Sequence, residues 1–548
     1  MKKLKAILLS VCSVALCASA VALLDNKTEA VSVSAEVAST WEMVYGASIR
    51  TVAPTGIRFT ARISEAEYAD LTANDADVSF GMIIMPYSYV AEYGDADTFF
   101  DADTKYTDKA DDTSKVRILH DSVDQLKTKK DGYYYFNVAL SDIAESNYEK
   151  EFYARAYYTD GTNYYFTPEN GTDNVRSVSY VASAALCDPE REYSAGVTAR
   201  LTQYATQYSE VEYNDEGAAI AEFALNGKFG QITSVTLDGN LIDTTTEVHA
   251  YPQNDGTLRL ASVPYGRHTV FITNAQGKEF MIPLYRASYV IRTAEDLAGL
   301  AADMTARSAH YKLTTSYIVV ARNVDYEGQK YAPAAVTFSG TFDGNGHTIS
   351  NVVVNGNAFL TTATSSPYVK NIVMDNLTFT SGALRGGFVG TVGANGKFEN
   401  VIVRGTNGAT TAGGLLACAL TIKSAATSSG YTKNCIVIDR ANYGAARKAA
   451  LGDLSAVPTA TTGKGSYDLS NVLVVSTGWA ITAAKKSEDY TSSFDITQVG
   501  AEADITAAEL RAFAEAAGAE SGWIYDETTG ELSLMGNVVF TVSPNSDL

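Results

Sequence analysis

Asn351-Val-Val-Val354, Asn371-Ile-Val-Met374, Asn400-Val-Ile-Val403, Asn434-Cys-Ile-Val437 and Asn471-Val-Leu-Val474 repeat one phrase five times within a single stretch of this chain. The intervals between the asparagines, by subtraction, are 20, 29, 34 and 37 residues. A constant centre with variable spacing is the mark of a solenoid, because each pass adds one short strand to a common core and pushes length variation into outer loops. The phrases therefore predict a parallel β-helix. They also predict a structural ladder in which Asn351, Asn371, Asn400, Asn434 and Asn471 occupy one corner of successive coils and bond to one another, as in stacked Asn strands. The competing reading is a β-sandwich rich in Asn and Gly.

Between these phrases stand Gly386-Gly-Phe-Val-Gly390 and Gly413-Gly-Leu-Leu-Ala417, where glycine permits close approach of neighbouring coils. Ahead of them runs Phe338-Ser-Gly-Thr-Phe-Asp-Gly-Asn-Gly-His-Thr-Ile349. This phrase, followed by Gly-Gly rungs, resembles the opening of secreted bacterial β-helix proteins with GLUG-type repeats. The resemblance covers roughly residues 291–540; Ala417 departs from it, standing where the second Gly-rich phrase would end in Gly. It implies a right-handed parallel β-helix in an extracellular protein and supplies no reaction.

Outward from this centre the chain reads as modular and mainly β. Its 548 residues exceed one core at about 150 residues per domain. Residues 1–30 read as a signal peptide: Lys2, Lys3 and Lys5 precede the apolar run Ala6 to Leu24, with cleavage after Ala20 or after Ala30. Residues 41–208 form a Tyr-rich region of period-2 runs, among them Gly56-Ile-Arg-Phe-Thr-Ala-Arg-Ile63 and Tyr133-Tyr-Tyr-Phe-Asn-Val-Ala-Leu140, which predict an N-terminal β-sandwich. Its Ala-Ser-Ile-Arg-Thr and Thr-Gly-Ile-Arg-Phe-Thr phrases resemble an N-terminal module of secreted proteins from Gram-positive anaerobes. A short helix over Ser177 to Leu186 closes it. Residues 213–288 carry short strands and an Asp238-Gly239 turn, which suit a small Ig-like β-sandwich. Within 291–540, the helix after Thr293 is expected to cap the first coil. The helix after Thr506, with a capping box to Glu509, and a hairpin from Trp523 to Leu534 are expected over the far end.

The chemistry is sparse. A formal net charge of −21 with no basic run after residue 5 excludes nucleic acid as a partner. No Gly-x-Ser-x-Gly, His-Glu-x-x-His or phosphate-binding loop occurs, and the five histidines have no ligand spacing. Three cysteines follow the leader, Cys187, Cys418 and Cys435, too few for a disulfide framework; the last two read as small core residues. Asp95, Asp97, Asp101 and Asp103 offer the i, i+2 carboxylates of a calcium site but lack the glycine and glutamate of an EF-hand, so a solvated acidic loop is preferred and calcium is the one cofactor kept in view. Arg50, Arg58 and Arg62 alternate along strands and read as a solvated face paired with local carboxylates. If the coils were catalytic, Asp375, Arg404, Asp439 and Arg440 carry the right chemistry; Asp375 and Arg404, each four residues after a rung asparagine, are better read as a salt bridge between coils.

The sequence therefore points to a secreted or cell-surface, monomeric, non-catalytic binding protein of adhesin type. Its ligand would be an extracellular glycan or protein, with no membrane contact after the leader is removed. A polysaccharide lyase or glycoside hydrolase working on the β-helix is the enzymatic alternative. A structural component of the cell envelope is the third class.

Overall fold

The computed structural model describes residues 39–543 apart from 52–53, 75–77, 89, 91–118, 170–172, 211–221, 226–228, 244–257, 356–357, 361–365, 380–386, 394, 408–413, 422–428, 442–448, 456–467 and 484–493. Residues 1–38, with the expected signal peptide, and Asp95, Asp97, Asp101 and Asp103 lie outside these residues. The chain is mainly β, and Trp41–Leu548 is one compact unit.

Alternation of side chains decides the first region. In strand Gly56–Ser64, Ile57, Phe59, Ala61 and Ile63 are buried, while Arg58, Thr60 and Arg62 point the other way. This strand lies between Glu42–Met43 and Tyr133–Ser141 in a five-stranded antiparallel sheet, with Ser48–Arg50 paired to its start and Thr128–Lys130 on the outer edge. A second antiparallel sheet is built on Ser79–Pro86 and Phe152–Thr159. Its Phe80, Met82, Ile84, Phe152, Ala154 and Ala156 join the residues of the first sheet in one apolar cluster. Helices Val178–Ala185 and Ala195–Ala205, capped by Ser177 and Ser194, add Val178, Val181, Ala182 and Leu201.

The next sheet is mixed. Strand Gln207–Glu210 straddles the boundary expected near residue 208 and pairs parallel with Glu279–Ala287, which continues antiparallel through Gly266–Asn274 to Ile232–Leu237. The Asp238-Gly239 turn has φ of +49° and +79°, and the Asp238 carboxylate accepts from Thr269 N and meets His268 Nδ1, both at 2.8 Å.

From Tyr289 onward every pairing up to Val499 is parallel. Strands Tyr289–Ile291, Tyr317–Val320, Thr341–Asp343, Tyr368–Phe379, Lys397–Asn407, Tyr431–Asp439, Asp468–Val475 and Phe494–Val499 lie side by side in chain order. A second parallel sheet stacks Val389–Val392, Ala417–Thr421, Ala449–Ser455 and Trp479–Ala483. Ile372, Met374, Val401, Val403, Cys435, Val437, Val472 and Val474 from the first meet Val389, Val392, Ala417 and Leu451 from the second, with Phe388, Leu415 and Leu416 just before its strands, in one apolar column. Burial there pushes the Cys435 thiol up to about 12. Helix Ala294–Ala306, with a Thr293–Asp296 capping box, lays Leu297, Leu300 and Met304 on the same column beside the first strand.

The C-terminal segment departs from the expectation of an end cap. Helix Ala507–Ala517 and the three antiparallel strands Trp523–Asp526, Glu531–Leu534 and Asn537–Thr541 run along the flank of the stack. The reason is parity. In each Asn phrase the first and third aliphatic residues enter the column, so the second, Val373, Ile402, Ile436 or Leu473, faces out. Four outward apolar side chains in a row, each worth roughly 1.5–3 kcal/mol when buried, demand a cover, and Leu510, Phe513, Trp523, Leu532, Leu534 and Val539 supply it.

Candidate functional site

The corner asparagines share a left-handed backbone: φ is +53° at Asn371, +56° at Asn400, +54° at Asn434 and +52° at Asn471. Asparagine tolerates this conformation better than other non-glycine residues, and it turns the strand between two directions. Each amide then donates to the residue before it in the stack: Asn371 to Asp343 Oδ1 (3.1 Å), Asn400 to Asn371 (3.0 Å), Asn434 to Asn400 (3.3 Å) and Asn471 to Asn434 (3.0 Å). Asn351 is not in this line. It belongs to a second ladder, donating to Asp325 Oδ1 at 2.9 Å and accepting from Asn376 Nδ2 at 2.7 Å. Asn371 and Asn376, both left-handed, are thus two corners of one pass. Glu327, Gly328, Val353 and Thr378 join Asn351 and Asn376 around an open groove of about 410 Å³.

The residues with acid–base chemistry on the parallel strands are engaged in other contacts. Arg404 Nη1 lies 3.6 Å from Asp375 Oδ1, donates through Nη2 to the Val539 carbonyl, and sits 4.5 Å above the Phe540 ring. It ties two passes to the C-terminal segment, and burial lowers its pKa. Arg440 holds Glu502 through Nε and Nη2 at 2.9–3.2 Å. Asp439, 4% exposed, accepts from the amide of Ala441 at 3.1 Å in an Asx turn. Among the described residues no group of three or more His, Cys, Asp or Glu is placed to hold a metal ion; Asp95, Asp97, Asp101 and Asp103 lie outside them.

The Gly-Asn-Gly-His turn does more than cap the first pass. Asn345 donates to Tyr208 Oη at 2.7 Å and accepts from Tyr285 Oη at 2.9 Å, which joins the stack to the preceding sheet. Asp343, fully buried, accepts from Tyr317 Oη (2.5 Å) and the Asn345 amide (2.9 Å) and pairs with Lys370 (3.2 Å). His347 is buried with Nδ1 3.9 Å from Glu145 of the N-terminal region, and burial pushes its pKa down to about 4.

Two surfaces remain, of which the first has no counterpart among the residues singled out from the sequence. Tyr368, Lys397 and Tyr431 stand in register on successive strands, with the Lys397 amine 5.8 and 5.4 Å from the two ring centroids, and Glu399 accepts both tyrosine hydroxyls. Their signal was available three and one residues before each ladder asparagine. Because every charge there has a neighbour of opposite sign or a ring, this row is a cross-strand brace.

The other surface is the outer face of the first N-terminal sheet. Arg50, Arg58 and Arg62 lie there with Tyr133, Tyr135, Thr60, Asn137 and Lys130, placed by the alternation of Ser48–Arg50, Gly56–Ser64, Tyr133–Ser141 and Thr128–Lys130. Arg62 pairs with Glu42 at 2.7 Å and covers the Tyr133 ring at 4.5 Å. That much matches a paired, solvated face. Arg58 instead donates through Nε to Ser48 Oγ at 3.1 Å, and neither Arg58 nor Arg50 forms an ion pair with a described residue.

Comparison with protein families, curated proteins and solved structures finds no match.

Proposed function

We propose that this chain is a secreted or cell-surface, non-catalytic binding protein for an extracellular glycan or protein. We read its architecture as an N-terminal β-sandwich, a small Ig-like module and a parallel β-helix of the GLUG-repeat type. The unbroken parallel pairing, the asparagine ladder and the single apolar column support the β-helix; the two antiparallel sheets sharing one cluster support the sandwich.

One observation carries the non-catalytic reading. Asp375, Arg404, Asp439 and Arg440 are each held by contacts that build the fold, and Arg404 packs against the Phe540 ring. An acid–base pair needs room for a substrate between its members. The polar N-terminal face is built differently: its arginines alternate along paired strands and are partly exposed, as the polar rim of a binding surface is.

The test is retention of the full exported chain on arrays of glycans and of surface proteins from host or neighbouring cells, run beside an assay for released sugar ends. Retention without product is expected. Release of product that disappears in Asp375→Ala or Arg404→Ala would overturn the reading in favour of the enzyme.

A further inference from the structure

We propose that the outer face of the first N-terminal sheet, centred on Arg50 and Arg58, binds the carboxylate groups of a linear acidic polysaccharide. This rests on the binding reading above and names its ligand class.

Register fixes the layout. Ser48 is opposite Arg58, so Arg50, two residues on, is its diagonal neighbour at roughly 7–8 Å between backbones. Arg62 lies four residues along the same strand, about 13 Å from Arg58 at ~3.3 Å per residue. Arg50 and Arg58 thus offer two guanidiniums side by side, with Arg62, held by Glu42, extending the polar row, a layout that suits a polymer with repeated anions better than one small molecule. Ser48 Oγ takes the Nε of Arg58 and so fixes the guanidinium while leaving its terminal nitrogens to donate in pairs to a carboxylate. Thr60 donates to Asn137 Oδ1 at 2.6 Å, which orients that amide and leaves its NH₂ for a sugar oxygen.

The charge balance is local. Among the described residues, Arg50, Arg58, Arg62 and Lys130 face Glu42, paired with Arg62 at 2.7 Å, and Asp131, 3.9 Å from Lys130, which leaves two positive charges. Asp142, in the turn after strand Tyr133–Ser141, forms no ion pair with either arginine. The rest of the chain carries −21 overall, but at physiological salt fields fade over about 8 Å, so an anion at the face is governed by the nearest guanidiniums. A single exposed pair contributes at most about 1 kcal/mol, so useful affinity requires several carboxylates on one ligand.

A peptide is disfavoured by the same geometry, since peptides dock on a free strand edge, in an apolar groove or as a charged motif in an arginine cluster. The apolar groove is missing from this face, whose outward side chains are polar, and its edges are the three-residue strands Ser48–Arg50 and Thr128–Lys130, too short to pair a peptide strand over more than one or two residues. The third is left to the experiment.

The experiment measures retention of the full chain on immobilised polygalacturonate, on the same polymer with its carboxylates methyl-esterified, on a neutral β-glucan and on polyglutamate. Expected are retention on polygalacturonate alone, weakening as salt rises, and an approximately tenfold loss in the Arg50→Gln/Arg58→Gln double variant with an unchanged melting temperature. Equal retention on the esterified or neutral polymer overturns the acidic class while leaving the binding reading in place. Equal retention on polyglutamate overturns the sugar. Retention on none of the four, or a double variant that binds as the parent does while melting normally, overturns the assignment of this face.

Discussion

The indole Nε1 of Trp523 donates to the side-chain oxygen of Asn400 across 3.2 Å, and the amide of the same asparagine donates to the Ser521 carbonyl at 3.0 Å. The ladder is therefore a docking strip as well as a corner. Asn471 does the same one end along, donating to Phe513 O at 3.0 Å. The C-terminal segment reads the stack through its asparagines.

Replacing Asn400 by Ala should cost on the order of 2–4 kcal/mol, since it leaves buried partners on Asn434 and Trp523 unpaired and places a Cβ-branchless but non-glycine residue in the left-handed region. Asn351→Ala, at a more exposed corner, should cost less. Asn400→Gly removes the backbone strain and keeps the loss of hydrogen bonds, so chemical denaturation of the three variants separates the two effects. An Asn400→Ala protein that unfolds at the parent's midpoint would reject the ladder.

Ile402→Asp tests the flank. Ile402 is fully buried between the stack and the C-terminal segment, so an uncompensated carboxylate there should release residues 505–541 to limited proteolysis. Had that segment covered the far end, a charge at this mid-stack position would leave it protected.

Acidification should destabilise the chain between about pH 6.5 and pH 4. Burial holds the folded-state pKa of His347 at about 4, with Arg322 reinforcing and Asp343 opposing the shift. The unfolded chain binds a proton that the folded one refuses, so stability is lost as pH falls from the unfolded value toward the folded value, by about 3 kcal/mol for this group. His310, also depressed to about 4 by burial and Arg307, acts with the same sign. Glu145, whose pKa burial raises, acts oppositely and offsets part of the loss. His347→Gln should flatten the pH dependence of the melting temperature; an unchanged slope would assign it to other groups.

Export should remove the leader, residues 1–20 or 1–30. N-terminal sequencing of the protein from culture medium is expected to begin after Ala20 or Ala30, and an intact Met1 in a membrane fraction contradicts it.

Much of this was legible because strand periodicity is a local property. The Asn phrases gave the parallel strands and four members of the main ladder, and the Thr293 and Thr506 caps sit at the helix starts read from sequence. Two features were misread for physical reasons. Asn376 is followed by Leu-Thr-Phe, so its corner lacked the aliphatic signature that marked the others, and Asn351 was placed in the wrong ladder. The flank position of the C-terminal segment is a tertiary fact, yet its trace was present: Val373, Ile402, Ile436 and Leu473 make the phrases apolar on both faces, which a solvated flank would not tolerate. Arg404, read as the ion-pair partner of Asp375, does pair with it at 3.6 Å; its packing on Phe540 is the addition that only the tertiary structure shows.

Gly346 lies where three parts of the chain converge. A Cβ at this position would come within 2.7 Å of Met535 Cβ, 3.0 Å of Leu534 O and 3.3 Å of Gln203 Nε2, and Asn537 already donates to its carbonyl at 2.7 Å. The glycine's φ of +79° adds a second reason for its identity. Its history should thus be shared: in diverging copies of this chain, any change at 346 should be accompanied by change at 203 and 535, and a chimera joining one copy's coils to another's N-terminal half should fail at this seam before it fails anywhere along the coils.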